Sequence, residues 1–198
     1  MSAQPRKIFA PLDSIVVNSL RAGDVALLSG VIITGRDAAH KRMVDLIQAG
    51  EPLPFQIEGE VIYYVGPTPA PPGRPIGAAG PTTSYRMDHY APLLIEKGLK
   101  GMIGKGQRSK EVKNAMIKWG AVYFAAIGGT GALMSRCVKE AEVIAWDELG
   151  PEAVRKLLVE DMPLIVATDV LGNDLYSTGP AHYKTASNAL KSLVSQRL

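Results

Sequence analysis

Apolar and polar positions change their spacing along the chain, and each change predicts an element. Residues 22–34, AGDVALLSGVIIT, are apolar and β-branched with an interruption at Ser29 and Gly30, which predicts two β runs separated by a turn or a bulge. Residues 37–50 then follow a helical period, with Asp37 as the expected cap. Four residues form the apolar face of this helix: Ala39, Met43, Leu46 and Ile47.

Residues 66–81 are the part of the chain richest in proline and glycine. Proline removes a ladder donor and glycine costs backbone entropy, so this segment predicts a loop that either links two lobes or crosses one domain. A helix should begin near Thr83 or Ser84, and Pro92 within it predicts a kink or a late start. Its inward face would be formed by Met87, Ala91, Leu94 and Ile95.

The second half of the chain alternates strand and helix patterns. Strand patterns cover residues 60–67, 99–104, 121–129, 141–146 and 163–170. Helical patterns cover residues 109–120, with Ser109 as the cap and Trp119 on the apolar face, as well as residues 151–161 and 181–198. The segment LGND, 171–174, predicts a hairpin turn into a short strand. Interleaved strands and helices predict an α/β fold in which at least part of the sheet is parallel.

Composition and charge exclude several classes of function. The chain has 198 residues, 46% of them hydrophobic, which is enough for one sizeable core. The net charge of +3 comes from scattered basic residues, whereas nucleic-acid binders usually carry a denser basic stripe, so we expect no nucleic-acid partner. No apolar run approaches the ~18 residues that cross a bilayer, and residues 1–14 lack the apolar core of a secretory signal. We therefore expect no membrane association and a cytoplasmic location.

The chain contains a single cysteine, Cys137, and this limits its metal chemistry. One thiol forms no intrachain disulfide, and structural zinc sites and iron–sulfur clusters typically need three or four thiolates or imidazoles. We expect Cys137 to be a small buried apolar residue and this chain to bind no metal.

Cationic and hydroxyl side chains gather where predicted strands and helices end. Arg36 and His40 are four residues apart, as are Thr82 and Arg86, so each pair would share a helical face. Lys105 stands between two glycines, where its long side chain can project and the backbone can approach a ligand closely. Together these residues predict a pocket for a small anion with two negative groups.

Each of these residues also has an ordinary structural explanation. Thr83 or Ser84 would serve as a helix cap, Arg36 as one half of a surface ion pair, and His40 as a solvated side chain. Three glycine-bearing loops that suggest nucleotide binding lack a required residue: in GGTGALM, 128–134, for example, Met134 replaces the last glycine or alanine of the dinucleotide motif.

Five motifs in a fixed order carry a more specific signal: GRDAAHKR at 35–42, GPTTSYRMD at 80–88, GKG at 104–106, AIGGTGAL at 126–133 and GND at 172–174. Together they resemble the C-terminal domain of class I, iron–sulfur-dependent fumarases, which in two-subunit versions is a separate β chain. The β subunit of L-tartrate dehydratase is similar as well. The resemblance runs from about residue 22 to residue 178.

The resemblance implies a fold and an activity. The fold would be an α/β swivelling β/β/α domain with a barrel-like mixed sheet flanked by helices, occupying residues 1–198 as one domain. The activity would be the reversible hydration of the C4 dicarboxylate fumarate to L-malate. A [4Fe–4S] cluster, bound by three cysteines of a partner α subunit, would complete the site. The assembly would be a hetero-oligomer, and a homo-oligomer is the alternative for the isolated chain.

The matched motifs also imply roles for individual residues. By position, Arg36, Arg86 and Lys105 match the carboxylate-binding cations of the family, and Thr82 matches a hydroxyl proposed as the catalytic base. A threonine hydroxyl is a weak base, so Lys105 would have to activate it, and a role for Thr82 in positioning substrate remains open. Asp37 and His40 lie in the same motif as Arg36 and would orient it, and Thr83 would support the binding residues.

Two alternatives remain open from the sequence. The first keeps the chemistry but changes the substrate to tartrate, which differs from malate by one hydroxyl. The second is a non-catalytic anion-binding or assembly domain.

Overall fold

The computed structural model describes residues 4–181, 183 and 184. Within this part of the chain, seven strands form one sheet in the order β1-β2-β3-β4-β5-β7-β6. The strands are β1 Arg6–Ala10, β2 Val25–Thr34, β3 Val61–Tyr63, β4 Gly101–Gly104, β5 Val122–Ala125, β6 Val138–Ala145 and β7 Val154–Thr168.

An additional pairing between β2 and β7 closes five of these strands into a barrel. The run from β1 through β2, β3 and β4 to β5 is parallel, and β7 is antiparallel to β2, β5 and β6. The prediction of an α/β fold with a barrel-like mixed sheet flanked by helices is therefore confirmed.

Strand β2 is the longest parallel strand and bends at Gly30. Its register against β7 shifts between Leu28 and Gly30, and Gly30 has φ 104°. A Cβ at Gly30 would lie 2.3 Å from the carbonyl oxygen of Ala10, so only glycine allows β1 to pair closely here. The predicted bulge is confirmed, but the two predicted β runs are one continuous strand.

Five α-helices and two 3₁₀ turns lie within residues 4–168. They are α1 Ser14–Ser19, α2 Asp37–Ala49, α3 Ala91–Glu96, α4 Lys110–Trp119 and α5 Gly131–Cys137, with 3₁₀ turns at Ser84–Met87 and Asp147–Glu152. The late start expected from Pro92 is confirmed, because α3 begins at the residue before it. The cap expected at Asp37 is wrong: Arg36 is the N-cap residue of α2, and Asp37 is its first helical residue.

Helix α4 has the predicted ends and one mispredicted face. The Ser109 hydroxyl accepts a hydrogen bond from the backbone N–H of Val112, and Gly120 ends the helix in the left-handed conformation. Trp119 is 39% exposed and not part of the core. It lies in the last turn, where its ring packs beneath the Lys118 amine instead.

Two apolar clusters lie on opposite faces of the barrel wall. In β3, Val61 and Tyr63 belong to the barrel interior, while Ile62 packs against the helices. Tyr64, which follows β3 directly, also packs against the helices. Strands β4 and β5 alternate in the same way, so both faces of the parallel strands are buried. This explains why these strands have nearly continuous apolar sequences.

The helix predicted for residues 151–161 is wrong, since most of this segment belongs to strand β7. Val154, Leu157 and Leu158 have the spacing of a helical face, but β2 and β6 pair with β7 on its two sides. The hairpin strand predicted after residues 171–174 is also wrong, because residues 175–181 are helical. Most of the helix predicted at 181–198 lies outside the described residues.

Strand β1 and helices α1 and α5 were not predicted from the sequence. In the described part of the chain, no helix is both long enough and apolar enough to cross a membrane.

Candidate active site

Two of the three cations expected to bind an anion follow the carboxyl ends of parallel strands. Arg36 comes two residues after β2 ends at Thr34, and Lys105 comes directly after β4 ends at Gly104. Because parallel strands end at the same edge of a sheet, these two cations belong to one edge of the barrel. This edge is the usual place for ligand sites in parallel α/β sheets.

Main-chain hydrogen bonds join the Thr82 segment to Lys105. The N–H of Thr82 donates to the carbonyl of Tyr64 at 2.7 Å, and the N–H of Lys105 donates to the carbonyl of Thr82 at 3.2 Å. The N–H of Ser84 donates to the carbonyl of Lys105 at 2.8 Å, and Thr83 forms a parallel bridge with Lys105. Thr82 and Thr83 therefore run beside Lys105 as a short continuation of the sheet.

Glycine at position 104 makes this close approach possible. A Cβ at Gly104 would lie 2.0 Å from the hydroxyl oxygen of Ser84. That hydroxyl instead bonds the hydroxyl of Tyr123 at 2.9 Å, in a fully buried position. The first glycine of the GKG motif is therefore needed for packing beneath the site.

A two-point ion pair connects Arg86 to the start of helix α2. The Nε atom of Arg86 lies 2.9 Å from Oδ1 of Asp37, and its Nη2 atom lies 2.7 Å from Oδ2. Both side chains are partly exposed. Asp37 thus orients Arg86 rather than Arg36, which corrects the partner expected for it.

The guanidinium of Arg36 is paired with Glu152, a residue that the sequence did not single out. Arg36 Nη2 lies 2.7 Å from Glu152 Oε1, and the N–H of Ala38 donates to Glu152 Oε2 at 2.8 Å. A Cβ at Gly66 would lie 3.0 Å from Arg36 Cζ, so the guanidinium packs directly on the backbone there. Glu152 therefore holds the arginine and supplies an acceptor at the N-terminus of α2.

His40 is buried beneath Arg36 and is not solvated. Its Nδ1 atom lies 2.9 Å from the carbonyl oxygen of Arg36, so this ring nitrogen donates the hydrogen bond, and its Nε2 atom is buried without a partner among the described residues. Its ring meets Tyr64 edge-on with a centroid distance of 5.1 Å. Burial, reinforced by the charge of Arg108, lowers the pKa of His40 from 6.5 to about 4, and the imidazole is therefore neutral.

Lys105 is exposed, as Arg86 is, but it differs from both arginines in its ion pairing. No carboxylate of the described residues pairs with its amine. Its stem passes Gly128, where a Cβ would lie 3.9 Å from Lys105 Cδ. The glycine-rich motif at 126–133 therefore lies beside the lysine.

A buried cation beneath the site was also missed by the sequence analysis. Arg108 is 3% exposed, its Nε atom lies 2.6 Å from Asp88 Oδ1, and its guanidinium lies over the rings of Tyr64 and Tyr123. The other oxygen of Asp88 accepts the N–H of Ser109 at 2.6 Å. This pair fastens the turn that carries Arg86 to the start of α4. No local pattern marks a contact between residues 20 positions apart.

These contacts form two groups among the seven residues singled out for the site. One group contains Arg36, Asp37, His40 and Arg86, and the other contains Thr82, Thr83 and Lys105. The chain from Thr83 to Arg86 joins them. The three cations do not share a partner, since Arg36 pairs with Glu152, Arg86 pairs with Asp37 and Lys105 has no carboxylate partner in the described part of the chain. Their roles in binding and catalysis stay predictions.

Cys137 does not provide a cluster site. Its thiol is partly exposed rather than buried, packs against the barrel core and bonds the carbonyl of Leu133 at 3.6 Å. Burial of part of the side chain raises the pKa of Cys137, which disfavours the thiolate. The described residues contain no group of three or more histidine, cysteine or acidic side chains placed to hold a metal ion. The described residues of this chain therefore do not fit an iron–sulfur cluster.

Comparison with known proteins supports the resemblance seen in the motifs. The sequence model of the fumarase C-terminus matches residues 10–179. The anaerobic class I fumarate hydratase of Escherichia coli (strain K12) is 44% identical over 151 residues, which are 75% of this chain and 28% of that protein. Fumarate hydratase 2 of Leishmania major is 39% identical over 171 residues, which are 84% of this chain and 30% of that protein.

A third relative has a length close to that of this chain. A Methanocaldococcus jannaschii protein, provisionally named L(+)-tartrate dehydratase subunit beta, is 38% identical over 166 residues, which are 81% of this chain and 85% of that protein. The chain thus spans less than a third of the fumarate hydratases but most of this β subunit. The match over residues 10–179 shows that the chain belongs to the fumarase C-terminus family.

Proposed function

We propose that this chain is the β subunit of a two-subunit hydro-lyase that interconverts fumarate and L-malate. One observation carries the proposal: Arg36 and Lys105 follow strand ends at one barrel edge, and the turn that carries Arg86 is bonded to both places. Arg86 of this turn pairs with Asp37 at the start of α2, and the N–H of Ser84 donates to the carbonyl of Lys105. Membership of the fumarase C-terminus family supports the same reading.

The cations are suited to a substrate with two carboxylates. Arg86 uses Nε and Nη2 for Asp37, which leaves Nη1 without an acceptor among the described residues. A guanidinium already oriented by one carboxylate can donate its remaining N–H groups to a second one. The exposed amine of Lys105 would act as a point charge for the same dianion.

The chemical step requires a base and stabilisation of negative charge. Removing the C3 proton of malate moves charge onto the neighbouring carboxylate, and a fixed cation aimed at that carboxylate lowers the barrier. Thr82 and Lys105, which run side by side, would supply the hydroxyl and the cation. Thr82 acts as the base if Lys105 activates it, and otherwise positions the substrate by a hydrogen bond.

The proposal places the [4Fe–4S] cluster on a partner α subunit. The single partly exposed thiol of Cys137 cannot supply the three ligands that such a cluster needs. The protein would then act as a hetero-oligomer whose site lies between the two subunits, and a cytoplasmic location is part of the same proposal.

Reconstitution tests the proposal. The purified chain and a cluster-bearing α subunit are assayed separately and mixed, by following fumarate absorbance in both directions under anaerobic conditions. We expect no activity from either chain alone and malate–fumarate interconversion from the mixture. Activity of this chain alone without iron would contradict the proposal, as would an inactive mixture whose cluster is intact.

A tartrate dehydratase is the second candidate, because the M. jannaschii relative is a chain of similar length named for that activity. Side-by-side assays of the mixture with malate and L-tartrate decide between the two, and the higher kcat/KM identifies the substrate. A non-catalytic anion-binding or assembly domain would instead give an inactive mixture, with the isolated chain still binding dicarboxylates in calorimetry.

A further inference from the structure

The GND motif at 172–174 contains none of the predicted anion-binding residues, and its contacts are structural. The Asp169 carboxylate accepts the N–H and side-chain amide of Asn173 at 3.1 and 2.9 Å. The Asp174 carboxylate accepts the N–H of Tyr176 at 3.1 Å and the Lys113 amine at 3.1 Å. The motif therefore starts the helical residues 175–181 in a fixed place beside α4.

This helical start brings the Tyr176 side chain to the lysine loop. The Tyr176 hydroxyl accepts the N–H of Gly106 at 2.9 Å, although the two residues are 70 positions apart. The carbonyl of Gly106 accepts the hydroxyl of Tyr123, also at 2.9 Å. Two tyrosine hydroxyls thus hold both polar groups of the glycine that follows Lys105.

The hydrogen bond that the Tyr176 hydroxyl accepts fixes the peptide group between Lys105 and Gly106. The carbonyl of that peptide is the Lys105 carbonyl, which accepts the N–H of Ser84, and its N–H is the one bound by Tyr176. Gly106 has φ 85°, in the left-handed region that glycine adopts without steric cost because it has no Cβ. Steric contacts of its own therefore do not hold the peptide group in one orientation. The Tyr176 hydroxyl is therefore the contact that restrains this peptide on its outer side.

We propose that Tyr176 is a positioning residue that holds the Lys105 loop so that the lysine amine points at the substrate. The inference rests on the proposed function, because it concerns the same anion site. It assigns to the GND motif the task of placing Tyr176, and it adds the helix from residue 175 to the elements that build the site.

The variant Tyr176→Phe removes only the hydroxyl. Tyr176 is 36% exposed, so the freed N–H of Gly106 can bond water and the chain should stay folded. In the reconstituted complex we expect kcat/KM for malate to fall about fivefold, the effect of one lost hydrogen bond, with the unfolding temperature unchanged. Tyr183→Phe, which alters a 77% exposed tyrosine, is the matched control and should leave kcat/KM unchanged.

A double-mutant cycle with Lys105→Gln tests whether Tyr176 acts through the lysine. If it does, Tyr176→Phe has no further effect on the residual kcat/KM of Lys105→Gln, because the positioned group is already absent. Independent, multiplicative losses would overturn the inference.

Hydrogen exchange of the Gly106 amide, measured by NMR on this chain, gives a readout separate from activity. We expect faster exchange in Tyr176→Phe and no change in Tyr183→Phe, and equal exchange in all three proteins would overturn the inference. An inactive wild-type complex would refute the proposed function and the catalytic purpose of Tyr176 together. An active complex with unchanged kinetics in Tyr176→Phe would refute only the positioning role.

Discussion

The arginine side and the lysine side of the candidate site differ in how their positive charge is balanced. On the arginine side, Arg36 pairs with Glu152 and Arg86 pairs with Asp37, at 2.7 Å in each case. On the lysine side, the Lys105 amine has no carboxylate partner among the described residues, and its loop is held by hydrogen bonds between neutral groups instead.

Because of this difference, the arginine side would orient N–H donors, whereas the lysine side would attract the substrate. Two guanidinium–carboxylate pairs add no net charge, and partly exposed pairs of this kind contribute only about 0–1 kcal/mol to stability. Their main effect is to fix the direction in which the remaining N–H groups point. The uncompensated charge that would draw a dianion to this edge comes from Lys105, so the two sides should respond differently to substitution.

The largest expected effect is the loss of the lysine charge. Lys105→Met keeps the stem but removes the amine, and we expect kcat/KM of the assembled enzyme to fall about a thousandfold, because a single transition-state donor is worth that much. Steady-state kinetics measures the loss. Lys110→Met, a change at the exposed first residue of α4, is the control and should keep wild-type kinetics. A loss below about tenfold would place the required charge elsewhere.

The next largest effect concerns stability on the arginine side. The folded chain holds His40 neutral with a pKa of about 4, below the ordinary 6.5, so between these pH values the unfolded chain binds a proton that the folded chain does not. The free energy of unfolding should therefore fall by roughly 3 kcal/mol as pH decreases from 7 to 4. Urea unfolding at several pH values measures this slope.

Two variants identify the group responsible for the pH dependence. His40→Asn removes the titrating ring and should flatten the slope over this range. His89→Asn, at an exposed histidine, should leave it as it is. An unchanged slope in His40→Asn would show that another group causes it.

A smaller effect is expected when the positive charge of Arg86 is kept but the planar, two-point geometry of its guanidinium is lost. Arg86→Lys retains one positive charge, yet a lysine cannot bond both oxygens of Asp37 and a substrate carboxylate together. We expect kcat/KM to fall about tenfold, mainly through a higher KM, with Arg74→Lys in the proline-rich loop as the control. Full activity of Arg86→Lys would mean that charge alone is sufficient on this side.

The smallest effect should come from Glu152. Glu152→Ala removes the partner of Arg36 and the acceptor for the Ala38 N–H, and we expect the free energy of unfolding to fall by about 1 kcal/mol. Glu152→Gln keeps an acceptor oxygen and should recover part of this loss in thermal unfolding. Equal stabilities of wild type and Glu152→Ala would show that the pair does not hold the start of α2.

Local patterns predicted the elements near the site because the helices there are set by their own sequences. Helix α2, the late start of α3 and the ends of α4 follow from apolar spacing, proline and caps. Strand β7 could not be recognised in the same way. Its apolar residues also fit a helical spacing, and only pairing with β2 and β6 on its two sides decides the outcome.

The site could be predicted in part for a similar reason. The ends of predicted strands and the ordered motifs marked Arg36, Thr82, Arg86 and Lys105. The partners that hold them, Glu152 and Tyr176, come from distant segments without a local signal, and their positions depend on how the barrel closes.

The central claim is that Arg36, Arg86 and Lys105 together bind one dicarboxylate in a site completed by a cluster-bearing chain. A crystal structure of the assembled complex with bound malate tests it most directly. The account predicts malate carboxylate oxygens within hydrogen-bond distance of both guanidinium groups and of the lysine amine. Malate bound to the cluster-bearing chain without contact to any of these three side chains would contradict it.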